Sequence, residues 1–269
     1  MSKENRRRWC LDLEDPLERA STGVTMVLDK GMGVTALKEL LEIAGDYIDF
    51  FKFSFGTSLL YPELILKKKI KLLLERGIEV YPGGTLFELA VIQGKLNEFL
   101  FRAKQIGFTA IEVSDGTISL PRKLRNEAIN KASSLGFMVL TEVGKKDRRC
   151  SLSLSRMVEE IKNDIQTGAH KVIIEGRESG RGISIYMDDG EINMEMLEGI
   201  LLSIRGREEL LIWEAPLKKQ QAGLIRKLGP DVNLGNIAVN EVLSLEALRR
   251  GLRGDTFRIT LQEPFLSHG

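Results

Sequence analysis

Histidine is scarce in this 269-residue chain. Only His170 and His268 are present, so histidine acid/base chemistry and a multi-histidine metal centre both lack the residues they need. Cysteine is equally sparse: Cys10 and Cys150 have no metal-ligand spacing and no partner cluster, which argues against structural zinc and leaves two reduced thiols as the expectation. No apolar run approaches the roughly 20 residues that span a bilayer, so no membrane partner is expected. The N-terminus, MSKENRRRWCLDLEDP, has three arginines with no apolar stretch behind them and turns acidic at once. That is unlike a signal or transit peptide, and the expected compartment is the cytoplasm. An excess of charge is missing too. A formal net charge of +1 gives no reason to expect nucleic acid or an anionic surface as partner. The basic runs, Arg6 to Arg8 and Lys67 to Lys69, read as a solvated arm and a solvated helix face. Proton handling is left to lysines and carboxylates.

What is present in quantity is alternation. Short apolar segments recur at 24–29, 48–54, 78–83, 109–115, 137–143, 171–176, 209–215 and 231–236, and each has the length and β-branched character of a buried parallel strand. Between and after them lie eight amphipathic segments of helical spacing, such as VTALKELLEIAG and SRMVEEIKNDIQTG, nearly all closing on a C-terminal glycine. Eight such alternations without a compositional break predict one α/β domain, a single (β/α)8 TIM barrel over 1–269. A short N-terminal extension (about 1–20) and a C-terminal tail (about 258–269) flank it. The competing doubly wound open sheet requires a glycine-rich phosphate turn after the first strand, and LDKGMG is a poor match to it.

In a barrel the C-terminal strand ends meet at one face, which carries the chemistry. Four strands place a carboxylate there after an apolar run: Glu112, Glu142, Glu175 and Glu214. Strand one ends in Asp29 and Lys30, strand two carries Lys52 between phenylalanines, and the loops add Asp115, Lys145, Lys146, Arg177 and Glu178. A ring of like charges requires cations, and hard oxygen ligands without histidine or thiolate point to Mg²⁺. YPGGTLFELA sets Gly83, Gly84 and Thr85 at a helix start, where free N–H groups attract anions; the plainer reading is a turn with a threonine N-cap. EGRESGRG places Arg177 and Arg181 among glycines, open to close approach by an oxyanion. RGLRGDTF reads as a salt-bridged closure of the last helix. For the lysines the pattern leaves three roles open: Schiff base, proton donor, or charge neutraliser. Read from its residues, the chain is a Mg²⁺-assisted enzyme for a small, multiply anionic, phosphorylated substrate, working through an enolate-like intermediate.

The stretches FKFSFGTS, YPGGTLFE, IEVSDGTI, VLTEVGKK, VIIEGRESGRGI, EAP, NLGNIA and EVLSLEALRRGLRGDTF together resemble the phosphosulfolactate synthase family over about Thr25 to Phe257. The resemblance implies a barrel enzyme, a carbon–sulfur lyase by class, that adds sulfite to phosphoenolpyruvate with Mg²⁺ to give (2R)-phospho-3-sulfolactate, in coenzyme M or sulfolactate biosynthesis. Within the family pattern the lysine after TEVG, here Lys145, resembles the general acid. Lys52 is grouped with it as catalytic. Glu142 and Glu175 are expected to hold the metal, and Lys30, Gly83, Gly84, Thr85, Arg177 and Ser179 to bind the anionic substrates. The family also implies a homo-oligomer. The similarity extends to plant heat-stress-associated proteins, so a non-enzymatic, protective relative stands as the alternative, beside a Schiff-base aldolase acting through Lys52 or Lys145.

Overall fold

The computed structural model describes residues 23–257. The proposed N-terminal extension and C-terminal tail, with Arg6 to Arg8, Cys10 and His268, lie outside the described residues. Eight strands form one parallel sheet: β1 (Thr25–Asp29), β2 (Phe50–Phe53), β3 (Glu79–Tyr81), β4 (Ala110–Val113), β5 (Met138–Val143), β6 (Lys171–Ile174), β7 (Leu211–Glu214) and β8 (Leu234–Ala238). Their order is β3-β2-β1-β8-β7-β6-β5-β4. First and last strands are therefore neighbours, and no strand order reverses, which removes the doubly wound alternative. Between β3 and β4 the ring is drawn together by Thr109, whose N–H donates to the Val80 carbonyl (3.1 Å) while its hydroxyl accepts from the Val80 N–H (3.0 Å). The architecture is the expected (β/α)8 barrel.

Nine α-helices accompany the strands among the described residues: α1 (Val34–Ala44), α2 (Glu63–Leu74), α3 (Gly83–Ile92), α4 (Leu96–Ile106), α5 (Arg122–Ser134), α6 (Leu154–Thr167), α7 (Met194–Ser203), α8 (Lys218–Leu228) and α9 (Val242–Arg249). Each buries one stripe. In α1 these are Leu37, Leu41 and Ala44, spaced to fall on one face. Helix ends follow local chemistry: the Ser153 side chain accepts from Arg156 N–H at the start of α6, and Gly168 closes it in a left-handed conformation. The sequence pattern supplied eight helical segments; the ninth, α3, is the YPGGT segment continuing as a full helix before α4.

Apolar side chains fill two shells. Met26, Phe50, Tyr81, Leu140, Ile173 and Ile212 pack inside the barrel, and larger clusters lie between sheet and helices. One expectation is corrected here. Lys67 to Lys69 is not a uniformly solvated face, because Lys69 is fully buried. Its ammonium bonds Asp29 Oδ2 (2.6 Å), the Met32 carbonyl (2.7 Å) and the Tyr61 hydroxyl (2.7 Å). Asp29 is thereby a strut under the β1 loop. Burial cost is met by partners that the linear sequence does not show.

After β6 the chain makes a long excursion, residues 175–193, before α7. Antiparallel bridges between Ile183 and Tyr186 and between Tyr186 and Ile192 stiffen it, and the Tyr186 hydroxyl donates to the Glu214 carbonyl at 2.6 Å. This excursion walls one side of the barrel's carboxyl face.

Candidate active site

At that face a cavity of about 320 Å³ is lined by residues from every part of the ring, among them Lys52, Gly83, Gly84, Thr85, Glu112, Glu142, Lys146, Glu175, Arg177, Ser179, Glu214 and Asn236. Alternation along the strands turns the four glutamates inward, and all four are buried. They are not register partners. Glu112 pairs with Leu140, and Glu142 with Ile173; the stagger of tilted strands carries each carboxylate to a common rim.

Lys52 stands at the centre, 2.9 Å from Glu112, 3.3 Å from Glu214 and 3.5 Å from Glu142. Burial alone favours the neutral amine, but these carboxylates outweigh it and hold the Lys52 pKa well above its ordinary value. Lys146 reaches the same space, 3.2 Å from Glu142 and 3.8 Å from Glu175. Glu142, followed by Glu175, raises its pKa against the effect of burial.

The carboxyls divide into two kinds. Burial lifts Glu112 to about 7, opposed by Lys52 and reinforced by Glu142. Burial lifts Glu175 well above the carboxylate range, with repulsion from Glu142 and Glu214 adding to it. Glu142 goes the other way: burial opposes its charge, yet Lys146 and Lys52 prevail and hold it below the usual range. Two ammoniums thus serve four buried carboxyls, and within the Glu142–Glu175 pair burial and mutual repulsion push Glu175 toward its neutral form while the lysines favour the charged form of Glu142.

Glu142, Glu175 and Glu214 each bring a carboxylate oxygen within 4.8 Å of the others. Glu175 Oε2 is buried without a hydrogen-bond partner. Hard oxygens at this spacing, beside a Glu175 Oε2 whose cationic neighbour is Lys146 at 3.8 Å, fit a small divalent cation such as Mg²⁺. Glu214 completes a set of which only Glu142 and Glu175 were picked from the sequence, although its place in the ring was legible.

The other sequence-derived residues separate. Gly83, Gly84, Thr85, Arg177 and Ser179 line the cavity, but the Gly84 N–H already donates to Glu112 Oε1 at 2.6 Å. The α3 start is capped in part by the protein's own carboxylate, and Pro82 rather than Thr85 occupies the N-cap position. Lys30 stands on the rim, half exposed and ion-paired with Glu178. Lys145 points elsewhere. Its ammonium is held by the Asp115 carboxylate and carbonyl (2.6 Å each) and the Ile118 carbonyl (3.2 Å), and it lines an adjoining cavity of about 810 Å³ with Gly116, Asp147, Arg149, Cys150, Lys146 and Arg177. Asp115 also pairs with Arg125. Of the two consecutive lysines, Lys146 lines both spaces. Arg181 lines neither, and the RGLRGDTF segment closes the last helix through Arg250–Glu246 (2.7 Å) and Lys218–Asp255 (2.6 Å). Lys146 and Asn236 were not selected from sequence: the first differs from Lys145 only in which way a glycine-started loop turns it.

Fold and site define a (β/α)8 barrel of the enzyme type, with its ionisable side chains gathered at the carboxyl face. The chain belongs to the family described as (2R)-phospho-3-sulfolactate synthase (ComA), which residues 14–255 match. It is 47% identical over 237 residues to the phosphosulfolactate synthase of Methanocaldococcus jannaschii, covering 87% of this chain and 94% of that one. Identity to the Bacillus subtilis phosphosulfolactate synthase is 42% over 238 residues, covering 88% and 92%. Protein HEAT-STRESS-ASSOCIATED 32 of Arabidopsis thaliana is more distant, 23% identical over 240 residues with 79% of each chain covered. Among solved structures, 3-hexulose-6-phosphate synthase from Salmonella typhimurium superposes with a TM-score of 0.54 at 14% identity, covering 89% of this chain and 99% of that one, a likeness of fold.

Proposed function

We propose that the chain catalyses addition of sulfite to phosphoenolpyruvate, forming the carbon–sulfur bond of (2R)-phospho-3-sulfolactate. The sulfur lone pair attacks C3, the C2–C3 π electrons move onto the carboxylate, and the resulting aci-carboxylate takes a proton at C2. Mg²⁺ held by Glu142, Glu175 and Glu214 would supply positive charge for that developing anion. Lys52, kept cationic and immobile by its three ion pairs, contributes fixed charge at the floor of the cavity. Arg177, Ser179 and Thr85 at the rim offer donors to phosphate and sulfite oxygens.

The observation that carries this reading is one small cavity in which an ammonium, Lys146, and a three-carboxylate cluster face the same space in a chain of this family. Proton delivery was expected from Lys145. The geometry favours Lys146, which lines the cavity, while Lys145 has its ammonium hydrogens committed to three oxygens. Lys52 as a Schiff-base nucleophile is opposed by its raised pKa, since that chemistry requires the free amine. Treatment with borohydride in the presence of phosphoenolpyruvate is expected to leave no adduct on Lys52 or Lys145.

The direct test incubates purified protein with phosphoenolpyruvate, sulfite and Mg²⁺ and looks for phosphosulfolactate by mass spectrometry. A folded protein that yields none sinks the proposal and leaves the protective reading.

A further inference from the structure

NLGNIA, residues 233–238, runs along β8 to the carboxyl face and carries Asn236 into the cavity lining. Within β8 the pairing to β1 slips: Thr25 pairs with Leu234, but Val27 pairs with Ile237. Two steps along one strand answer three along the other, which is a β-bulge. Asn236 sits at the bulge with φ 55°, a left-handed conformation that few residues other than glycine adopt, asparagine being among the more tolerant.

The bulge has a directional consequence. Leu234 and Ile237, three apart, both pack in the apolar layer between sheet and helices. Strict alternation forbids that, and the extra residue leaves Gly235 and Asn236 both on the inner side. Gly235 has no room for a side chain, because a Cβ there would lie 2.3 Å from Met26 Cε and 3.0 Å from Ile212 Cγ2. Asn236 therefore occupies the space alone and lines the 320 Å³ cavity. The residue is 7% exposed, and its Oδ1 is buried with no hydrogen-bond partner. A buried carboxamide without a partner costs stability, as does a left-handed non-glycine residue. Costs of this kind, placed together and aimed into a cavity, mark a group kept for a ligand.

We infer that Asn236 is a substrate-binding residue, whose carboxamide N–H donates to an oxygen of the anionic organic substrate. Half a turn about the last side-chain bond exchanges carbonyl and amide ends with no change of shape, and a neutral donor among four glutamates binds an anion without adding to their ion pairs. The inference rests on the reading of this cavity as the phosphoenolpyruvate site.

Asn236→Gly is the informative variant, because glycine accepts the left-handed backbone and keeps the bulge. Its melting temperature should equal or exceed that of the unaltered chain. Its Kd for phosphoenolpyruvate, by calorimetric titration with Mg²⁺ present, and its KM should rise roughly 10- to 100-fold, the range for a lost hydrogen bond to a charged group. Asn236→Asp, nearly identical in shape, replaces the donor with a negative oxygen and should bind more weakly still. If Asn236→Gly binds and turns over phosphoenolpyruvate within twofold of the unaltered chain, Asn236 only shapes the bulge and the inference is overturned alone. If the unaltered chain neither binds nor converts phosphoenolpyruvate, the reading of the cavity falls and this inference with it.

Discussion

Lys145 and Lys146 show what a single residue position decides. Both follow Gly144, whose φ of 134° lets the chain turn over the rim; a side chain there would collide with Glu175 Cβ and Ser184 Oγ at 2.6 Å. The turn sends Lys146 to Glu142 and Glu175 and sends Lys145 to Asp115. Lys146→Ala is expected to lower kcat by about 10²–10⁴-fold, the usual contribution of a positioned acid, and to lower the melting temperature as well, because Lys146 is the foremost cation offsetting the buried Glu142 carboxylate. Lys145→Ala should lower stability and leave a larger share of kcat; steady-state kinetics beside thermal unfolding separate the two. The linear sequence marks TEVGKK as charged and close to the site, but the assignment between neighbours depends on a backbone torsion set by packing.

At the scale of elements, the carboxylate ring was legible because it is local: an apolar strand that ends in glutamate reads the same alone or in the barrel. The start of α3 was half legible. Its glycines signal close approach, and the structure shows what approaches, since a Cβ on Gly84 would lie 2.4 Å from Ser114 Cβ and 2.5 Å from Glu112 Oε1. Gly84→Ala should therefore cost on the order of 1–3 kcal/mol, as for overpacking, and reduce activity by displacing Glu112; chemical denaturation and kinetics check both. The strut between α2 and β1 was hidden. Lys69 belongs to an apparently solvated KKK run, yet Asp29→Asn would leave a buried ammonium without its countercharge, at a cost of roughly 3–5 kcal/mol, readable as a fall in the urea midpoint.

For the whole molecule, the carboxyls link stability to pH. Glu112 binds its proton up to about 7 against an ordinary 4.5, and Glu175 is shifted in the same direction. Between those values the folded chain holds more protons than the unfolded one, so these groups make stability fall as pH rises from about 4.5 toward 7. Glu142, shifted down, contributes stability above its ordinary value that is lost toward acid. Glu112→Gln should flatten the decline seen by thermal unfolding without added metal across that upper window. On the proposed reading, in which Glu142, Glu175 and Glu214 hold Mg²⁺, the cation competes with the proton that burial favours on Glu175, so the stabilisation it gives should grow as pH rises. Glu175→Gln should abolish that growth.

By itself the sequence determined the alternation of strand and helix, the barrel it implies, and the residue types available at the carboxyl face, because periodicity, capping and composition act over a few neighbouring residues. Tertiary structure alone decided which lysine enters the cavity, that Glu214 joins Glu142 and Glu175, that Lys69 is an internal strut, and that a bulge turns Asn236 inward. Each of these depends on strand stagger, loop torsion or a partner tens of residues away, and such distances exist only once the ring has closed.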